Sequence, residues 1–421
     1  MVSTRYWVWL QCCIHQGSAL ICDILDVYGD PQRFYEAVSS CDPDAGLKEL
    51  TSITNSQLQK CKNTPLDIAD KIISDCQRVG CDILCYDAPE FPDRLRHIYA
   101  PPAVLYQKGT LAGLDQIPAI AMVGTRKMTP YGKKVAVDFG TQLARAGICV
   151  ISGMAVGVDI MSMKAALKAG GYVIGVLGCG IDVNYPAENA KMKGLVSKYG
   201  CIVTEYPPGT GPWKGNFPAR NRLISGLSLG TLVIQAPKHS GSLITADDAL
   251  EQGKDLFVVP APLYDPTVSG NLRLLRDGCI PATEPADVID FYRFRYEREL
   301  LQEQRKNKAR LAGEPLPALE EETDAPLKEQ AEIEPDPEYS PKLSQQNRNS
   351  GQDGAACRRH SQDPRVSEEA LQVYRVLSEE PVHMEEIAQT LGMRISQVLG
   401  ALTELEIAGA VRSYAGRRYG K

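Results

Sequence analysis

Apolar residues recur along this chain with two periods, and the alternation between them marks out a central region. Between residues 76 and 290, short apolar runs alternate with stretches whose apolar positions return every three or four residues. The runs are Ile117–Val123, Ile148–Ser152, Tyr172–Leu177, Cys201–Glu205, Thr231–Ala236 and Asp255–Val259. Between them lie patterns such as Tyr131–Ala146 and Asp159–Ala169, which predict helices. Six strands with intervening helices predict an α/β fold built on a doubly wound parallel sheet.

The flanks read differently. Residues 1–75 are short helical patterns broken by Gly and Pro, such as Gly17–Gly29 and Thr64–Cys76, and form a small helical module. Residues 291–365 begin as a charged helix and become a Pro-, Glu-, Gln- and Asn-rich linker, expected to be disordered. Residues 366–421 form a compact helical module with a Gly-rich basic tail. No apolar run reaches the roughly 18 residues of a membrane span. The apolar start, Met1–Ile14, is soon broken by His15, Gln16 and Asp23, unlike a signal peptide, so the chain is expected to be cytoplasmic.

Charge and cysteine content change the picture less than they first suggest. The net charge is −6. Between Gly313 and Ser340, however, ten acidic residues face one base, Lys328, which leaves about +3 for the rest of the chain. The acidity belongs to the linker and does not exclude a basic site elsewhere. The 13 cysteines include no Cys-x-x-Cys pair, and the five histidines flank no cysteine cluster. They read as reduced core thiols, with no metal site and no cofactor expected.

In an open parallel sheet, ligands bind where the strands end. The first predicted strand runs into Gly124, Thr125 and Arg126, amides and a guanidinium suited to an anion. The second runs into Ser152, Gly153, Ala155 and Gly157, a small-residue turn able to present backbone N–H groups. The fifth runs into Ser240, Gly241 and Ser242. The segment Gly215–Gly230 then packs Phe217, Pro218, Arg220, Asn221 and Arg222 at a predicted helix start, with Lys214 just before it. Guanidiniums beside a ring suit a ligand that carries both phosphate and a planar base. There is no P-loop and no Gly-x-Gly-x-x-Gly spacing. Asp159, Asp182, Glu188 and Glu205 lie near strand ends but form no tight carboxylate cluster, and His239 has no Gly-x-Ser-x-Gly elbow beside it. Binding without catalysis is the favoured reading.

These residues resemble the DNA-processing protein A family (DprA, also called Smf). The resemblance rests on Pro92–Arg96, Pro101–Gly109, Val123–Arg126, Ser152–Asp159, Val176–Asn189, Glu205–Thr210, Asn216–Ser228 and Ser240–Ala246, and spans residues 90–280 almost without gaps. It implies an extended Rossmann-like domain that binds single-stranded DNA, forms a homodimer and loads RecA recombinase during natural transformation. It places Arg126, Lys214, Phe217, Arg220 and Arg222 in the DNA pocket. Gly124, Ser152, Gly153 and the Ser240–Ser242 turn would supply backbone contacts. The helical start resembles the family's N-terminal SAM- or helix-hairpin-helix-like module, and the C-terminal segment its winged helix. There Leu391-Gly392-Met393 is the turn between helices and Gly416–Gly420 the wing; Glu385, Glu386, Glu404 and Glu406 favour an interaction role over DNA contact.

Three positions depart from the family pattern: Val156, where members often carry a base, Met163, where they often carry His, and Asn271, one residue early. The alternative reading is a Rossmann-type nucleoside-phosphate hydrolase related to phosphoribohydrolases. That class needs a glutamate near the Lys238–Leu243 loop, and none is present.

Overall fold

The computed structural model describes residues 2–14, 16–40, 47, 50, 52–312, 368–377, 382–391, 393, 395–407, 410–414 and 418–420. The acidic linker, Gly392 of the helix-helix turn and residues 415–417 of the wing lie outside these. The chain divides into two units, within residues 1–335 and 336–421. Among the described residues no helix is long and apolar enough to cross a membrane.

The first unit is built on nine strands: β1 (Asp82–Cys85), β2 (Val104–Lys108), β3 (Ala119–Val123), β4 (Cys149–Ser152), β5 (Val173–Val176), β6 (Cys201–Thr204), β7 (Gly230–Val233), β8 (Asp255–Val258) and β9 (Ile280–Pro281). Their spatial order is β1-β2-β6-β5-β4-β3-β7-β8-β9. All six predicted strands are present as β3 to β8, and they pair in parallel. The order reverses beside β3, because β4 to β6 run off one side and β7 to β9 off the other, which makes the sheet doubly wound as expected. The purely parallel expectation needs one correction. β1 and β2 extend the β6 edge as antiparallel strands, with Tyr106 opposite Thr204 and Leu84 opposite Leu105. Unlike β3 to β8 they are not buried along nearly their whole length: β1 begins with exposed Asp82 and β2 ends in half-buried Gln107 and Lys108.

Strand side chains alternate between two cores. Ile120 and Met122 face one core, joined there by Val150 and Leu232. Ala119, Ala121 and Val123 face the other, with Ile151, Val176 and Val233. The first core is covered by the helices Pro130–Arg145 and Val158–Lys168. It continues into the N-terminal helices, where Trp7, Trp9, Ile21, Ile24 and Phe34 are buried. Gln11 fastens these helices to the sheet edge, its Oε1 accepting from the Ala103 amide at 2.9 Å. The second core is covered by Asn216–Leu227, Gly241–Glu251 and Ser269–Arg276. With helices on both faces, the open surface of the sheet is the edge where its strands end, and loops gather there.

The second unit is smaller. Helices Glu368–Val376, Met384–Leu391 and Ile395–Ile407 enclose Val373, Ile387, Val398 and Leu402. Beside them β10 (Val382–His383), β11 (Arg412–Tyr414) and β12 (Arg418–Gly420) form an antiparallel sheet in the order β10-β12-β11.

Candidate nucleic-acid interface

Beyond the carboxyl ends of β3, β4 and β5 lies an open cleft. Its walls come from four segments distant in sequence: Arg126 after β3, Gly153 to Val156 after β4, Leu177 to Pro186 after β5, and Phe217 with Arg220 on the helix Asn216–Leu227. Strand-end loops meet at this rim because parallel strands deliver every loop to the same edge.

Phe217 is half-buried and has a defined seat. A Cβ added at Gly178 would come within 2.9 Å of its ring, so only glycine leaves room there. Tyr185 leans on it with ring centroids 5.4 Å apart at 41°. The guanidinium carbons of Arg126 and Arg220 each lie 5.9 Å from its centroid, within cation–π range. A ring held this way can receive a base on its exposed part while the exposed Arg126 beside it takes a flanking phosphate.

The two arginines differ. Arg126 is exposed, and among the described residues no hydrogen bond or ion pair engages its guanidinium, which leaves its planar fork open for a phosphate. Arg220 is 5% exposed and structural on one side. Its Nη1 donates to the carbonyl oxygens of Gly153, at 2.9 Å, and Val176, tying the ends of β4 and β5 together. Burial lowers its pKa to about 10, which still leaves it charged at neutral pH. Opposite it, Asp159 accepts the amides of Gly153 at 3.1 Å and Ala155 at 3.4 Å. Burial raises the Asp159 carboxyl to about 6, with Arg220 and Arg126 opposing the shift. Between these anchors the turn holds Met154 at φ 55°, a left-handed conformation unusual for a side chain of this size, and Asn189 Nδ2 donates to its carbonyl at 2.8 Å.

The remaining predicted residues fall into three groups. Gly124, Thr125, Ser152 and Gly157 shape the loops. A Cβ at Gly124 would meet Val158 at 2.7 Å, and one at Gly157 would meet the Arg126 Cα at 2.7 Å. Ser152 is fully buried and donates to the Met122 carbonyl at 2.6 Å, and Thr125 donates its amide to the Gln235 carbonyl at 2.7 Å. Asn221 is a connector: its Oδ1 accepts from Arg220 and its Nδ2 donates to the Gly241 carbonyl. It thereby joins the Ser240–Ser242 turn, where Ser240 caps the next helix, to the cleft floor. Lys214 stands exposed just ahead of the helix that carries Phe217.

Arg222 is not brought to the cleft. It is 9% exposed, and Nη1 and Nη2 donate to Glu205 at 2.9 and 2.7 Å while Nε donates to the Ala100 carbonyl at 3.0 Å. Arg220 and Arg222 sit two apart on one helix and so face in different directions. Sequence reasoning missed Tyr185, Gly178, Leu177, Cys179 and Pro186 as cleft residues, although they lie in the Val176–Asn189 stretch that carries part of the family resemblance. Of the departures, Val156 lines the cleft, Met163 is fully buried in the core, and Asn271 cross-links the ends of β7 and β8 through the Ala236 amide and the Val259 carbonyl.

Comparison with known proteins shows the family. Residues 82–293 match the family described as DNA recombination-mediator protein A, and residues 358–417 match the DprA winged helix domain. The chain is 39% identical over 256 residues to DNA processing protein DprA of Bacillus subtilis, covering 59% of this chain and 86% of that one. It is 32% identical over 297 residues to Protein Smf of Escherichia coli, covering 70% and 76%. The X-ray structure of DNA processing protein A from Streptococcus pneumoniae superposes with a TM-score of 0.55 at 28% identity, covering 69% of this chain and 98% of that one.

Proposed function

The chain belongs to the DNA recombination-mediator protein A family, and from that premise we propose that its cleft binds single-stranded DNA without turning it over. The observation that carries this reading is the seating of Phe217 in the cleft with Arg126 and Arg220 both within cation–π range of its ring. Duplex DNA keeps its bases stacked and paired, so a ring set in a cleft can be used only by an unpaired base. The exposed cations Arg126, beside that ring, and Lys214, three residues before it in the chain, supply phosphate contacts.

The carboxylates near the strand ends support binding over hydrolysis. Glu205 is locked in a bidentate pair with Arg222, Asp159 accepts two backbone amides, and Asp182 accepts the Gly209 amide at 2.8 Å. Each does structural duty. In this reading the bound strand passes to RecA recombinase and the protein works as a homodimer; the family's description as a recombination mediator supports the hand-over.

Titration of labelled oligothymidylate by fluorescence anisotropy tests the cleft. Arg126→Ala and Phe217→Ala should each weaken binding, and matching duplex should bind much less tightly at moderate salt. Wild-type affinity in both variants would overturn the assignment. Release of free base from nucleoside monophosphates would overturn the non-enzymatic reading, and RecA-driven strand exchange unaffected by the protein would overturn the hand-over.

A further inference from the structure

The chain has three tryptophans, and they divide sharply. Trp7 and Trp9 are buried, at 2% and 0% exposure, whereas Trp213 is 70% exposed. An indole left this open gains little from folding and presents a broad apolar face to water. Its sequence neighbours are Gly211, Pro212, exposed Lys214 and exposed Gly215. The indole lies alongside Gly211, where an added Cβ would be 3.6 Å from Nε1.

The mount beneath the ring is fixed on all sides. The Gly180 amide donates to the Thr210 carbonyl at 2.8 Å, and the Gly209 amide donates to Asp182 Oδ1 at 2.8 Å. The Trp213 carbonyl accepts the Asn216 amide at 3.0 Å, and Asn216 Nδ2 donates to the Gly178 carbonyl at 3.1 Å. These bonds tie the Trp213 loop to the same β5 loop whose Gly178 seats Phe217. Trp213 is therefore an exposed ring on a pinned backbone, next to a lysine and four residues before the cleft phenylalanine.

We infer that Trp213 is a second base-stacking platform, which receives a base of the strand just outside the one held at Phe217, with Lys214 on the phosphate between them. This rests on the cleft being a single-stranded DNA site. Two rings on one rigid segment cost little ordering on binding and tolerate any base, because every base offers a π face. The hydrogen bonds that join its loop to the β5 loop of the cleft, and the adjacent cation, favour a nucleic-acid occupant over a protein one.

The buried positions of Trp7 and Trp9 make the test direct. In the full-length protein, iodide reaches Trp213 emission selectively, and unlabelled oligothymidylate should quench that emission and protect it from iodide. Anisotropy of labelled oligothymidylate, read in parallel, reports binding independently. Trp213→Phe should abolish the iodide-sensitive emission and, because it keeps an aromatic face, bind more tightly than Trp213→Ala. Trp213→Ala should weaken binding at least about fivefold without changing the salt slope, since no charge is removed. Saturable binding with Trp213 still fully open to iodide, or Trp213→Ala binding like wild type, would overturn this inference and leave the cleft reading standing. An anisotropy titration with no binding at low salt would instead overturn the cleft reading itself. Protection of Trp213 by a recombinase but not by oligothymidylate would assign the ring to a protein contact and overturn the inference as well.

Discussion

Replacing Arg222 by alanine should damage the fold far more than it damages DNA recognition as such. The Arg222 guanidinium donates four hydrogen bonds among the described residues: two to Glu205, one to the Ala100 carbonyl and one to the Ala219 carbonyl at 2.9 Å. The Glu205 side chain has 0% exposure, and among the described residues no other hydrogen bond reaches its carboxylate. Truncating Arg222 strands that charge in the interior, and breaking a buried pair from one side costs about 3–5 kcal/mol. For a cooperative unit of about 300 residues this lowers the Tm by roughly 5–8 °C. Calorimetry of wild type, Arg222→Ala and Arg126→Ala gives the comparison. Arg126 is exposed and supports nothing in the interior, so its variant should unfold within about 1 °C of wild type. The double variant Glu205→Gln with Arg222→Met should recover part of the loss, because it removes the stranded charge. If Arg222→Ala kept the wild-type Tm and yet lost DNA binding, Arg222 would be a phosphate contact and its placement outside the cleft would be refuted.

Other expectations follow from the same geometry. Arg126→Ala should weaken oligothymidylate binding and reduce the slope of log K against log salt by about one, read from titrations at several salt concentrations. Phe217→Ala should cost about 1–3 kcal/mol of binding with the slope unchanged. Gly178→Ala should mimic Phe217→Ala in affinity, because its new Cβ displaces the ring; equal affinity to wild type would show that the seat does not matter. For Asp159, burial holds the folded pKa near 6 against an ordinary 3.8, so between about pH 4 and 6 the folded state binds more protons than the unfolded one. Its contribution to stability is therefore largest at low pH, falls as pH rises through that window and is flat above it. A nearby strand phosphate raises this carboxyl further, so DNA affinity should fall as pH rises through about 6. Asp159→Asn should flatten that part of the profile in anisotropy titrations.

The fold and the site were legible in the sequence to different depths. Strands β3 to β8 were readable because each is an apolar run bounded by helical periodicity, and burial from both faces leaves that mark. The antiparallel pairing of β1 and β2 onto the β6 edge was not, since it sets Tyr106 opposite Thr204, a contact distant in sequence that no local run encodes. The ring-and-guanidinium pattern of Phe217, Arg220 and Arg222 stood out within one segment. Their separate duties did not, because a helix turns about 100° per residue and only the packed partners decide which side is interior. Arg222 found a buried carboxylate, Arg220 the carbonyls of two strand ends, and Arg126 open solvent. Tyr185 and Gly178 escaped notice for a related reason: their role is a contact with Phe217 across more than 30 residues of chain, which no local pattern encodes. Trp213 was visible as a letter, but its exposure was not.

In the proposed function one strand of DNA lies across the ends of β3, β4 and β5 with a base on Phe217. A crystal structure of the full chain with a short oligothymidylate would show this arrangement or its absence. A thymine ring is expected against the exposed part of Phe217, with a phosphate within hydrogen-bonding distance of the Arg126 guanidinium. An ordered strand bound elsewhere on the protein, with Phe217 and Arg126 free of it, would refute the proposed site.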